Sequence, residues 1–158
     1  MKKILFFLVF SIVFTSNVYS AEKNSSNYYD ELVINYRKYQ SQVEPFNIKK
    51  SRYLSNQSVD NQAELLTAAR NLLVSEIEAI LSYSNFTRAM LVEGTKVLNY
   101  QENYIFIKLD DEISFLTLQK SKAAGLGSLG EAQILATALK EHYSTISQMG
   151  YQTKAIIE

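Results

Sequence analysis

The chain has 158 residues, with 16 Lys and Arg against 16 Asp and Glu, no Cys, no Trp, one His, one Pro and five Gly. The length fits one domain. The lack of Cys excludes disulfides, thiolate metal sites and a Cys nucleophile; a single His leaves little for an imidazole metal site; zero net charge gives no drive for phosphate neutralisation, so nucleic acid is not an expected partner.

The first twenty residues differ from the rest. Lys2 and Lys3 precede an apolar run, Ile4 to Phe14, and Val18 and Ser20 lie at the minus-three and minus-one positions before Ala21. This pattern predicts a signal peptide, residues 1–20, cleaved after Ser20, with the mature chain exported to the periplasm or beyond the cell. The apolar run is short for a bilayer span, which needs about 20 residues, so a retained anchor is the lesser expectation. Lys2 and Lys3 leave with the signal, so sixteen basic residues become fourteen against sixteen acidic ones, a net charge of −2. Without disulfides the exported domain must rely on its core for stability.

Residues 21–27 are polar and predict a flexible leader to a domain spanning 28–150. From Tyr29 the residues Leu32, Tyr36, Tyr39, Val43, Phe46, Lys50 and Tyr53 follow at steps of three and four. That spacing places one stripe on a helix, broken only by Lys50. Pro45 falls inside it and predicts a kink near 41–45, favoured over two helices meeting there because the stripe stays in phase across it. Residues 55–61 read as a turn, and Asn61 with Glu64 has capping-box spacing for a second helix to about Glu93, stopped by Gly94. Leu66, Ala69, Leu73, Ile77 and Ile80 form its apolar face.

The segment Thr95 to Ala124 carries Leu98, Ile105, Leu109, Ile113 and Leu116 at helical spacing. A hairpin of 104–109 and 113–118 is the rival, but Asp110-Asp111-Glu112 lacks the Gly or Asn of a tight turn and no sheet is evident for it to join. Gly125 to Gly130 reads as a left-handed C-cap followed by an N-cap, with Ser128 and Glu131 opening a last helix from Leu129 to about Gln148. Ile134, Leu135, Ala138, Leu139, His142, Tyr143 and Ile146 are its expected inner face, and Gly150 its end. Residues 151–158 then stop without a cap, as a short docking segment or a truncated reading frame would. The expected fold is all-α: an elongated antiparallel bundle of three to four long helices with short turns.

No catalytic, cofactor-binding or metal constellation emerges, and the chain is not expected to be an enzyme. Gly125 to Gly130 matches G-x-G-x-x-G, but the fingerprint needs a preceding strand, and helix precedes it here. His142 has Leu three positions before it, where a di-iron bundle needs Glu, so a half-buried structural His is expected. Asp110, Asp111 and Glu112 point about 100° apart on a helix and read as a solvated face, with Lys108 and Glu112 paired. Asn24, Asn56 and Asn85 begin formal glycosylation sequons that chance produces in an Asn- and Ser-rich chain.

The tyrosines are the least ordinary feature. Tyr28, Tyr36, Tyr39 and Tyr53 crowd one helix where a simple core would use Leu, and Tyr brings an apolar body with a polar tip. They are the candidate interaction surface, for a protein partner or self-association; the basic face that membrane contact would want is weak. The alternative is a small-ligand or lipid-binding bundle with a Tyr-lined interior.

Over about residues 28–95, Tyr36-Arg37-Lys38-Tyr39, Phe46, Lys49 to Leu54, Ala68-Ala69-Arg70 and Tyr83 resemble a set of small, signal-bearing, all-helical proteins of unassigned role in small-genome bacteria. The resemblance implies an exported helical fold and carries over no activity or site residue. Periplasmic helical chaperones are of similar size but tend to be basic, which this chain is not.

Overall fold

The computed structural model describes residues 24–94 and 100–158. Four helices occupy nearly all of them: α1 (Ser25–Ser55), α2 (Val59–Gly94), α3 (Tyr100–Ala124) and α4 (Leu129–Ile157). The fold is all-α, as the periodicities predict, and the 104–118 segment is helical, not a hairpin. The expected signal peptide lies outside the described residues.

Local chemistry moves several boundaries. Asn24 caps α1 by accepting from the Asn27 N–H at 3.0 Å, so the end of the expected leader is a cap and first turn. The helix then runs unbroken through Pro45, so the alternative of two helices meeting there does not hold. Pro45 is exposed, so water can reach the carbonyl that its missing N–H leaves unbonded. The cap of α2 is Ser58, not Asn61: the Asn61 N–H donates to Ser58 Oγ at 3.2 Å, while the Asn61 amide donates to the Asn56 carbonyl at 2.7 Å. Ser128 caps α4 as predicted, accepting from the Glu131 N–H at 3.2 Å. Glu131 reaches back to the Gly127 N–H at 2.7 Å. No described residue has positive φ, so the expected left-handed cap at Gly125 is absent; its N–H bonds instead to the Lys122 carbonyl in a tight turn.

Gly150 does not end α4, which continues to Ile157 and buries Met149 and Thr153. The glycine serves a packing need. A Cβ there would lie 2.0 Å from the Tyr83 hydroxyl, and one at Gly94 would lie 2.6 Å from the Ile157 side chain. Those two contacts also show that α2 and α4 run parallel. Lys38–Glu78 and Lys49–Glu64 set α1 antiparallel to α2, and Glu78–Lys120 and Arg88–Asp110 do the same for α3.

The core belongs to α2, α3 and α4. Ile77, Leu91, Leu109, Leu116, Leu139 and Ile146 are fully buried in it. In contrast α1 packs on α2 alone and has no fully buried residue. Small residues on α2, among them Ser75, Ala79, Ser82 and Ser84, are buried as well, which suits a helix covered on three sides. The inner face expected for α4 needs correction: Leu135, Leu139 and Ile146 are buried, whereas Ile134 and Tyr143 are exposed.

Candidate functional site

Among the described residues the backbone of α1 packs against that of α2 and stands off from α3 and α4, so an open furrow runs between α1 and α4 along α2. Its upper part is a hollow of about 600 Å³. Tyr29, Leu32, Val33, Tyr36 and Tyr39 line one wall, Tyr143 of α4 lines the other, and Glu76, Ala79, Ile80 and Tyr83 of α2 form the floor. A second hollow of about 400 Å³ continues past Glu76 toward Phe46, Lys50, Leu72 and Leu129. Helical periodicity builds the tyrosine wall, since steps of three and four keep Tyr29, Tyr36 and Tyr39 on one side of α1. The Tyr36 and Tyr39 rings are tilted, with centroids 6.4 Å apart, and Tyr29 lies 5.6 Å from Phe86.

The electrostatics centre on Glu76. Burial pushes its carboxyl above the ordinary glutamate range, and no hydrogen bond or ion pair among the described residues offsets this. Tyr39 is raised by its own burial first and by the Glu76 charge second. Tyr83 is also raised by burial, against the opposing effect of its hydrogen bond with Thr87. These phenols stay neutral at ordinary pH and keep their O–H donors.

Of the four candidate tyrosines, Tyr36 and Tyr39 meet in the furrow. Tyr28 instead lines a small hollow of about 150 Å³ with Asn85, Arg88 and Glu93. Tyr53 is fourteen residues beyond Tyr39, about 21 Å along the helix. The one-helix stripe could not show Tyr83, Tyr143 or Glu76 as site residues, because separate helices bring them in. Their sequence signal was slight: an aromatic or an acid among the apolar positions of an otherwise ordinary helix.

The carboxylates on α3 are less solvated than expected. Asp110 pairs with Arg88 Nε at 2.7 Å, and the Arg88 guanidinium lies 4.2 Å from the Phe106 ring centroid. Glu112 is buried and bonds His142 Nδ1 at 2.6 Å, which displaces the expected Lys108–Glu112 pair. The imidazole stacks on Phe115 with centroids 3.6 Å apart, a half-buried structural arrangement that ties α3 to α4. No group of three or more His, Asp or Glu suited to a metal ion occurs among the described residues, and none of the described helices is long and apolar enough to cross a membrane. Compared with known protein families, curated proteins and solved structures, the chain matches none.

Proposed function

We propose that the chain is a non-catalytic binding protein of the bacterial envelope, exported by its N-terminal signal and acting through protein–protein contact in the α1–α4 furrow. The observation that carries this reading is the furrow itself, where five tyrosines from three helices stand around an open apolar trough. Tyrosine suits such contacts because a large rigid ring loses little conformational freedom on binding and its hydroxyl can bond across an interface. The test is site-specific photo-crosslinking in cells that express the full chain. A photoreactive residue at Tyr36 should give a protein adduct, and one at Ile107, exposed on α3, should not. Equal labelling at both positions, or none at Tyr36, would overturn the reading. Cell fractionation should find the chain outside the cytoplasm and about 20 residues shorter, as signal cleavage requires.

A small-ligand role is the second reading, since about 600 Å³ is within the size range of ligand pockets. The open length of the furrow favours a protein segment. Native mass spectrometry of the purified chain with a bound small molecule would reverse that preference.

A further inference from the structure

Glu76 is the anomaly in the furrow. Three other acids of α2 are engaged by α1: Glu64 by Lys49 and Arg52, Glu78 by Lys38 (and by Lys120 of α3), and Glu93 by the Ser25 hydroxyl and N–H. Glu76 lies half-buried where the two hollows meet, with no hydrogen bond or ion pair among the described residues. A carboxylate taken from water without a partner is costly, and the surrounding apolar wall makes it more so. Lys50 lines the lower hollow, but Tyr39 is the α1 residue beside Glu76. Eleven residues separate Lys50 from Tyr39, about 16 Å of helix, so Lys50 does not serve as counter-charge. The tyrosyl faces also present negative potential to a cation.

The trough is long enough for a helix. Its floor on α2 extends from Leu65 to Tyr83, about 27 Å, or five turns, and α1 and α4 flank it as two antiparallel rails. Helix-in-groove docking places apolar side chains in such a trough at steps of three and four. Resting on the binding reading above, we propose that the furrow seats an amphipathic helix of a partner protein, and that a basic side chain on that helix's apolar face pairs with Glu76 beneath the tyrosine wall. Charge complementarity then fixes the register of the helix, while the apolar contacts hold it.

The experiment extends the photo-crosslinking at Tyr36 to Glu76→Gln and Glu76→Asp chains in the same cells. Adduct yield should fall at least fivefold in Glu76→Gln and be largely kept in Glu76→Asp, which retains the charge. The crosslinked partner peptide should carry a Lys or Arg within a helical apolar pattern. If the residue is Lys, a zero-length carbodiimide should join it to Glu76. Unchanged yield in Glu76→Gln, or a partner peptide without a basic residue, overturns the pairing and leaves furrow contact standing. No adduct at Tyr36 in the parent chain removes both. A crosslink to a second copy of this chain, or to lipid, overturns the choice of occupant. Thermal melts separate lost binding from lost folding, because Glu76→Gln should melt no lower than the parent.

Discussion

Thr153 is fully buried on α4, and its hydroxyl has no hydrogen-bond partner among the described residues. A polar group in that state costs about 1–3 kcal/mol. Thr153→Val keeps the shape and removes the group, so it should raise stability by about 1 kcal/mol, read as a higher urea midpoint; a lower midpoint would show that the hydroxyl is satisfied after all. Gly150 is the opposite case, a small residue required by a neighbour. Ala is favoured over Gly within a helix by about 1 kcal/mol. Here the new Cβ would meet the Tyr83 hydroxyl at 2.0 Å and its Cζ at 2.9 Å. Gly150→Ala should therefore destabilise the parent chain and stabilise a Tyr83→Ala chain, a sign reversal that a double-mutant cycle reads directly. Glu76 gives a third residue-scale test. Its folded-state pKa is raised by burial, so the ionised group opposes folding above that raised value, and the penalty disappears below the ordinary glutamate value of 4.5. Glu76→Gln should be more stable than the parent at pH 7, with the difference gone at pH 4; a constant difference would mean that charge is not its cause.

At the scale of elements, α1 is set apart by how it is held. It buries no residue fully, and polar links at its edges supplement partial apolar contact with α2: the Ser25–Glu93 bonds, the Lys38–Glu78 and Lys49–Glu64 pairs, and an Asn35 amide donating to Ser82 Oγ at 2.6 Å. Contacts of this kind open at lower free energy than a shared core. Amide exchange should therefore release α1 first, sooner at 0.5 M salt, while α2 to α4 stay protected; equal protection of all four helices would contradict this. The sequence made the helix itself legible, because its steps of three and four, apolar except at Lys50, run for nearly seven turns. It did not show which side of the stripe would stay uncovered, since that depends on α4 standing off from α1. The same gap explains why spacing alone marks Tyr36 and Tyr39, whereas it does not mark Tyr83, Tyr143 and Glu76. Misplaced caps have local causes. Ser58 lacks a capping-box signal because the residue three positions on is Asn rather than Glu or Gln, and Gly150 resembles a terminator because only the fold places the Tyr83 ring against it.

The whole molecule is a three-helix core with a fourth helix laid along its central member, and the links between the two parts are dominated by carboxylates of α2. Glu64 is lowered first by its hydrogen bond with Lys49 and also by Arg52, and Glu93 by its bonds from Ser25. Glu78 is pushed up by burial, but Lys120 and Lys38 outweigh that and leave it lowered. A carboxyl depressed in the folded state contributes stability that is present above its unfolded value, here 4.5, and lost as pH falls through the folded value. Each of these three losses weakens the α1–α2 seam, and that of Glu78 also gives up its pair with Lys120 of α3. Glu76 works in the opposite direction but has no bond across that seam to lose, so its protonation cannot hold α1 in place. The apolar cluster of Ile77, Leu109, Leu116, Leu139 and Ile146 does not depend on these three carboxylates, and the buried Glu112 bonds His142 between α3 and α4, away from α1. Acidification below pH 4.5 should therefore detach α1 before the rest unfolds, giving two steps. The first should be marked by loss of α1 amide protection with most helical circular dichroism retained. The chain has no Trp, and five of its eleven tyrosines line the furrow, so part of the tyrosine emission should change in that first step as Tyr36 and Tyr39 leave Tyr83 and Tyr143. One cooperative transition in all three signals would mean that α1 is bound to the core more firmly than its polar seam accounts for.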